Sequence, residues 1–503
     1  MRLRIGREPW GAVPPMFRIR AIAPAAAFAL ALAGCATIHN EPVNRPLSGA
    51  ARHTIDLGRD VATYSDDLLI GLAFSGGGTR AAAFAFGVLQ ELDETRTGQG
   101  TLLDRVDFVS GVSGGSVLAA YYGLKRRSAL ADFRERFLLR DAEESLSGLN
   151  PNSVARAFAG GINDASQFPR WLDRNLFEGA TFAQMRHDRR PRVWINAADI
   201  YNRTTFVFGR TAFTAICSDL DAYPVAQAVA ASAAVPVVFA PIVIESYPGD
   251  CAARLPAWIE RARANPSAPP MLKTFADAMG RYRDGSMRYI KLLDGGLVDN
   301  YGLSGFTIAR LSSDTPYGPL TPEQAVKLRR ALFVVVDAGR GPSGDWTRTV
   351  AGPSGTELVM AAADTAIDAS VRASFTAFDS TTAEWQGALI RWRCGLSAEQ
   401  RRRYGAPANW NCRDLKFTVN RVAFDQLGAE RAAELNAVPT RFKLPPEQVD
   451  HLIAAGRDAL RANKAYRDFL GSLGRSAPAR RPVPPRPQPV AGMPVAAVAA
   501  EPR

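Results

Sequence analysis

With 503 residues, 47% of them hydrophobic, the chain has enough apolar surface for a large core and one or two domains. Its formal net charge of +12 is concentrated at the ends: residues 1–34 and 475–503 each carry five arginines against one glutamate, and the body between them holds only +4. A mildly basic body without interleaved aromatic and basic residues excludes nucleic acid as a partner.

The N-terminal stretch has the order of a targeting segment. MFRIR (16–20) is basic, AIAPAAAFALA (21–31) is apolar and too short to span a bilayer, and LAGC (32–35) sets small residues before Cys35. This ending resembles the lipobox of bacterial lipoproteins, whose cysteine is acylated and becomes the mature N-terminus. The resemblance implies that residues 1–35 are a signal segment starting at Met16 and that Cys35 is the lipidation site. It also implies a place in the bacterial cell envelope, on the outer membrane facing the periplasm, because Ala36 and not aspartate follows the cysteine. An ordinary cleaved signal with a coincidental cysteine is the alternative. Residues 36–66, polar and turn-rich, read as a tether. Beyond Cys35 four cysteines remain, an even number that suits an exported chain. They allow three connectivities; the neighbours Cys217–Cys251 and Cys394–Cys412 close the shorter loops and are the expected pairs, with free buried thiols as the alternative. No C-x-x-C spacing exists to suggest zinc.

From DLLIGLAF (67–74) onward strand-like and helix-like runs alternate, which predicts an α/β sheet with helices on its faces. Strands are expected at 68–74, 106–110, 192–200, 204–209, 288–294 and 331–338. Helices are expected at 79–95, 115–128, 131–140, 224–233, 322–330, 355–374 and 446–464. The stretches 140–190 and 252–287 read as insertions, the first a helical lid. Residues 475–503, rich in proline, arginine and alanine, cannot bury enough apolar surface to fold.

Three stretches carry chemistry. SGGGTR (75–80) follows a strand and opens a helix, so its glycines can turn sharply and aim free N–H groups outward. Such amides serve either a phosphate, as in dinucleotide folds, or an oxyanion, and a plain turn is the third reading. GVSGG (111–115) is a G-x-S-x-G elbow with strand VDFVS before it and an apolar helix after it, which exposes Ser113 at a helix N-terminus. LLDGG (292–296) ends a strand on Asp294, where open α/β sheets place their sites; Asp299 and Asn300 close the same loop and read as structural.

A serine needs a base. Of the four histidines, His39 and His53 lie in the tether, His187 in a charged stretch, and His451 inside an amphipathic helix. The chain order Ser113, Asp294, His451 matches a hydrolase triad, but that histidine normally stands on a loop beyond a strand. The remaining arrangement is an aspartate acting directly on the serine, its basicity raised by burial.

GGGTR (76–80), GVSGG (111–115) and DGG (294–296), in this order, resemble the three motifs of patatin-like phospholipases. INAADIYNRTTFVF (195–208) and AASAAVPVVFAPI (230–242) are similar to that family's paired strands and small-residue helix, so the resemblance covers about 66–340. It implies a three-layer α/β sandwich with a central, mostly parallel sheet, and acyl-ester hydrolysis by a Ser–Asp dyad without histidine or cofactor. Carried onto this sequence, Ser113 is the nucleophile, Asp294 the base, and Gly76, Gly77 and Gly78 the oxyanion hole. Arg80 holds the family's basic position, where it either orients the loop or meets a lipid phosphate. Ala81 departs from the family's usual glycine. On this reading residues 67–474 are the catalytic domain, with a core at 67–340 and an extension at 341–474 that matches no motif. The partners implied are a lipid or phospholipid substrate and, through the anchor, a membrane. The competing readings are acyl transfer from the same acyl-serine and a non-catalytic lipid-binding envelope lipoprotein.

Overall fold

The computed structural model describes residues 40–47 and 67–473, apart from 98–99, 145, 147–160, 165, 186–189, 252, 342–344 and 349. The signal segment with Met16 and Cys35, most of the 36–66 tether, the 475–503 tail, and His39, His53 and His187 lie outside the described residues.

Strands β1 (Leu68–Phe74), β2 (Arg96–Thr97), β3 (Gly100–Thr101), β4 (Phe108–Val112), β5 (Arg192–Asp199), β6 (Thr204–Phe208), β7 (Ile242–Glu245), β8 (Tyr289–Asp294), β9 (Arg330–Asp337) and β10 (Lys416–Ala423) follow in chain order. All but the small β2–β3 hairpin join one sheet in the order β10-β9-β1-β4-β5-β8-β7, with β6 also on β5. Neighbours from β10 through β5 are parallel, whereas β6, β8 and β7 join antiparallel. The helices that matter here are α1 (Gly78–Glu94), α2 (Gly114–Lys125), α3 (Val225–Ser232), α4 (Ser304–Leu311), α5 (Gly355–Cys394) and α6 (Pro446–Ala462).

The uninterrupted apolar runs LLIGLAF and ALFVVVD arise because β1 and β9 are covered on both faces. Leu68, Ile70, Leu72 and Phe74 pack with α1, α2 and α6, while Leu69 and Ala73 point the other way, into a cluster with Phe378, Trp385 and Leu389 of α5. Helix, sheet, helix: the fold is the three-layer α/β sandwich with a mostly parallel sheet.

Besides the β2–β3 hairpin, two strands of the main sheet escape the sequence pattern. β7 is four residues of an edge strand, and β10 carries Asn420 and Arg421 within its run. α5 continues twenty residues past the expected end at 374 and stops at Cys394. The 252–287 stretch forms two helices, Ala257–Ala264 and Pro270–Arg283. Residues beyond 340 are integral to the sandwich: β10 pairs β9 along its whole length, and α6 lies on α1 so closely that a Cβ at Gly456 would stand 2.0 Å from the Phe84 carbonyl oxygen.

The sheet's register creates the site. Along one edge of β5, β4 pairs up to Val112 opposite Asn196, and β8 arrives from the opposite direction to end with Asp294 opposite Ala197. The residue after Val112 and the last residue of β8 therefore meet end to end. On the other side of β4, Phe74 of β1 pairs with Gly111, which brings the glycine loop alongside.

Candidate active site

Ser113 stands between β4 and α2 at φ 50°, ψ −125°, a positive-φ conformation that a non-glycine residue adopts only when its surroundings enforce it. The surroundings do so by contact. A Cβ at Gly114 would lie 1.9 Å from the Gly78 carbonyl oxygen, and one at Gly115 would lie 2.5 Å from that of Phe74. The elbow thus rests directly on the glycine loop. The Ser113 N–H donates to Ser232 Oγ (2.9 Å), and that hydroxyl donates to the Asn196 carbonyl (2.6 Å).

Asp294 is held from the same side. Its N–H donates to the Ala234 carbonyl (2.8 Å) and the Gly295 N–H to that of Ser232 (3.1 Å), so the end of α3 aligns both Ser113 and Asp294. Burial pushes the Asp294 carboxyl up to about 6; the hydrogen bond from the Gly296 N–H (2.8 Å) and then the neighbouring Ser113 hydroxyl oppose that rise. A carboxylate so placed is a stronger base than a solvated one and has the serine beside it.

The glycine loop divides its amides. The Gly76 N–H is taken by Asn300, through both its carbonyl oxygen and Oδ1 at 3.1 Å each. This departs from the expected set of three donors: Gly76 is satisfied within the protein. Among the described residues the N–H groups of Gly77, Gly78 and Gly114 have no acceptor, and Gly78 and Gly114 meet backbone to backbone next to Ser113. Gly78 must be glycine, because its φ is +61° and a Cβ there would meet the Arg441 carbonyl oxygen at 2.5 Å. That same carbonyl accepts the Thr79 N–H (2.8 Å). The extension beyond 340 therefore buttresses the loop.

Arg80 turns inward. Only 3% exposed, it donates from Nε to the Ala338 carbonyl (3.0 Å) and from its terminal nitrogen to that of Val438 (2.8 Å). Of its two expected roles, the geometry matches bracing the loop and not meeting a lipid phosphate. His451 lies half-exposed on α6 with Glu434 3.8 Å away, and neither group that bonds the Asp294 carboxyl is a histidine. The structure joins Cys217 to Cys251 and Cys394 to Cys412. Among the described residues no cluster of acidic, histidine and cysteine side chains could hold a metal ion, and no helix is long and apolar enough to cross a membrane.

Asn300, Ser232 and Gly114 are the site residues that sequence reasoning missed as such. In the sequence Asn300 reads as a structural residue of the Asp294 loop, and Ser232 only as a member of the small-residue helix.

The family model of patatin-like phospholipases matches residues 72–307, a span that begins in β1 and takes in the glycine loop, the elbow and the Asp294 turn. The chain carries a patatin-like phospholipase domain. No curated protein matches it. Among solved structures it is similar to human GIVD cytosolic phospholipase A2, at 13% identity over 81% of this chain, with a TM-score of 0.32. It is also similar to VipD from Legionella pneumophila, at 13% identity over 79% of this chain, with a TM-score of 0.26. It spans 62% of the first and 67% of the second. β9, α5, β10 and α6 lie outside the family match, although β9 and β10 extend its sheet and Arg441 contacts its glycine loop.

Proposed function

We propose that this protein is a membrane-anchored serine hydrolase of lipid acyl esters that works through a Ser113–Asp294 dyad. The observation that carries the reading is the meeting of β4 and β8 along β5, which sets the buried Asp294 carboxyl, pushed up to about 6 by burial, next to Ser113. In this mechanism Asp294 takes the Ser113 proton as Oγ attacks the ester carbonyl carbon. Negative charge develops on the carbonyl oxygen beside the free amides of Gly77, Gly78 and Gly114, at the N-terminus of α2. The proton passes to the departing alcohol or lysolipid. Water, deprotonated by Asp294, then cleaves the acyl-serine and releases the fatty acid. Acylation of Cys35 fits this role: an anchor on the periplasmic face of the outer membrane keeps the enzyme at high local lipid concentration, on a lead shorter than the expected 36–66 tether because residues 40–47 pack on the body, where Asn44 bonds Ser218 and the Glu245 backbone.

The test is labelling by a serine-directed fluorophosphonate together with turnover of a short acyl ester. Ser113→Ala is expected to lose labelling and turnover, and Asp294→Asn to lower turnover by at least about 10³-fold. His451→Ala is expected to retain both. Full activity in Asp294→Asn overturns the dyad.

A further inference from the structure

Beyond its contact with β8, β5 turns back into β6 through Ile200, Tyr201, Asn202 and Arg203. The entry to β8 lies beside this turn: the Ile200 N–H donates to the Lys291 carbonyl (3.3 Å), and Asn202 Nδ2 meets the Met287 sulfur at 3.2 Å. A fully buried carboxylate holds the turn in shape. Asp199 accepts the N–H groups of Tyr201 (3.0 Å) and Asn202 (3.1 Å) and the Tyr282 hydroxyl (2.5 Å), while Arg281 Nε donates to Asn202 Oδ1 (2.6 Å).

With these polar groups tied inward, the apolar side chains stand outside. Ile200 is 41% exposed, Tyr201 70%, and Tyr289, at the start of β8, 43%. Arg203, Arg288 and Lys291 are exposed around them. The Arg288 guanidinium and the Lys291 ammonium lie 5.1 and 5.5 Å from the centre of the Tyr289 ring. Glu245 pairs with Arg288 at 3.2 Å and Asp284 faces Arg281, but no acidic partner is found for Arg203 or Lys291 among the described residues.

We propose that this tip is a docking surface for an anionic lipid bilayer. Apolar and tyrosine side chains that enter the acyl boundary, ringed by cations that meet headgroup phosphates, are the combination such a surface selects. An uncharged partner would leave Arg203 and Lys291 without a counter-ion. The tip also lies beyond the dyad in the direction in which the parallel strands end, roughly 10–17 Å from the Asp294 level by strand rise. A bilayer docked there presents its lipids beside Ser113. The proposal rests on the lipid-hydrolase reading for its purpose, though not for its geometry.

The test uses the full chain carrying Cys35→Ser, so that acylation does not hold it to lipid, in flotation with vesicles containing phosphatidylglycerol or of phosphatidylcholine alone. The parent is expected to float with the anionic vesicles and to be released by salt. Combined Ile200→Ser, Tyr201→Ser and Tyr289→Ser is expected to weaken partition about 100-fold. Combined Arg203→Gln, Arg288→Gln and Lys291→Gln is expected to weaken it at least about tenfold and abolish the anionic preference. Both variants should turn over a water-soluble short-chain ester like the parent, which also reports that they fold, and should lose vesicle phospholipid hydrolysis in parallel with binding. A parent that ignores anionic vesicles, or variants that float like the parent, overturns the proposal. Vesicle binding that persists in a parent with no ester turnover upholds the surface and overturns the hydrolase reading instead.

Discussion

Asp294 trades stability for basicity. Its folded pKa, about 6, lies above the unfolded value near 4, so the stabilisation from holding it neutral is complete below pH 4 and is lost as pH rises through 6. At neutral pH the buried charge costs about 3 kcal/mol on that shift. Asp294→Asn is therefore expected to be more stable than the parent above pH 6, by up to that amount, with the gain vanishing below pH 4; urea unfolding across pH reads it directly. The activity of the parent should show the opposite face of the same titration. Its kcat/KM for a short ester is expected to fall about tenfold per pH unit below 6 and to level off above it. Asn300 gives a second handle. A Cβ at Gly296 would lie 2.8 Å from Asn300 Oδ1 and 3.1 Å from Asp294 Oδ1, which puts the two oxygens within about 6 Å. Asn300→Asp keeps an acceptor for the Gly76 N–H but adds a like charge, so the midpoint of the pH profile should move up by about a unit. An unmoved midpoint means that Asn300 is remote from Asp294 in solution.

Among the elements, the crossing of α1 and α6 governs the glycine-loop side of the site. Gly87 and Gly456 let the two helices touch backbone to backbone, with a Cβ at either standing 2.0 Å from the partner's carbonyl oxygen. A methyl at Gly456 must push α6 away, at a cost of about 3 kcal/mol. α6 begins four residues after Phe442, and Arg441 braces Gly78 and Thr79. Gly456→Ala is thus expected to lower the thermal midpoint and also kcat on a short ester, with little change in the pH midpoint, since Asp294 is held by α3. This dependence was hidden in the sequence. The amphipathic pattern of 446–464 predicted the helix, but nothing in it says that Gly456 meets Phe84. β1 and β9, by contrast, were legible because burial on both faces writes itself as an unbroken apolar run. β7 and β10 lie at the edges of the sheet, where that pattern weakens.

For the whole molecule, the two disulfides act on different parts. Cys217–Cys251 closes a loop that contains α3 and β7, the elements that hold Ser113 and Asp294 in place. Cys394–Cys412 ties the end of α5 to the approach to β10. Their sequence separations of 34 and 18 residues correspond to about 3–4 kcal/mol each on the loop-entropy account. Replacing both cysteines of either pair by serine should lower the urea midpoint, but only loss of Cys217–Cys251 should also lower turnover at temperatures where the protein stays folded.

By itself the sequence determined the local chemistry: a serine on an elbow, an aspartate at a strand end, glycines opening a helix, and too few well-placed histidines for a triad. These were readable because each depends on neighbours within a few residues. Tertiary structure decided what those groups do to one another. Ser113 meets Asp294 because β4 and β8 share one edge of β5 from opposite directions. Ser232, 119 residues from Ser113, aligns them. Asn300 removes Gly76 from the set of free amides, and the chain beyond 340 braces the rest. Such partners are distant in sequence, and only the register of the sheet brings them within hydrogen-bond reach.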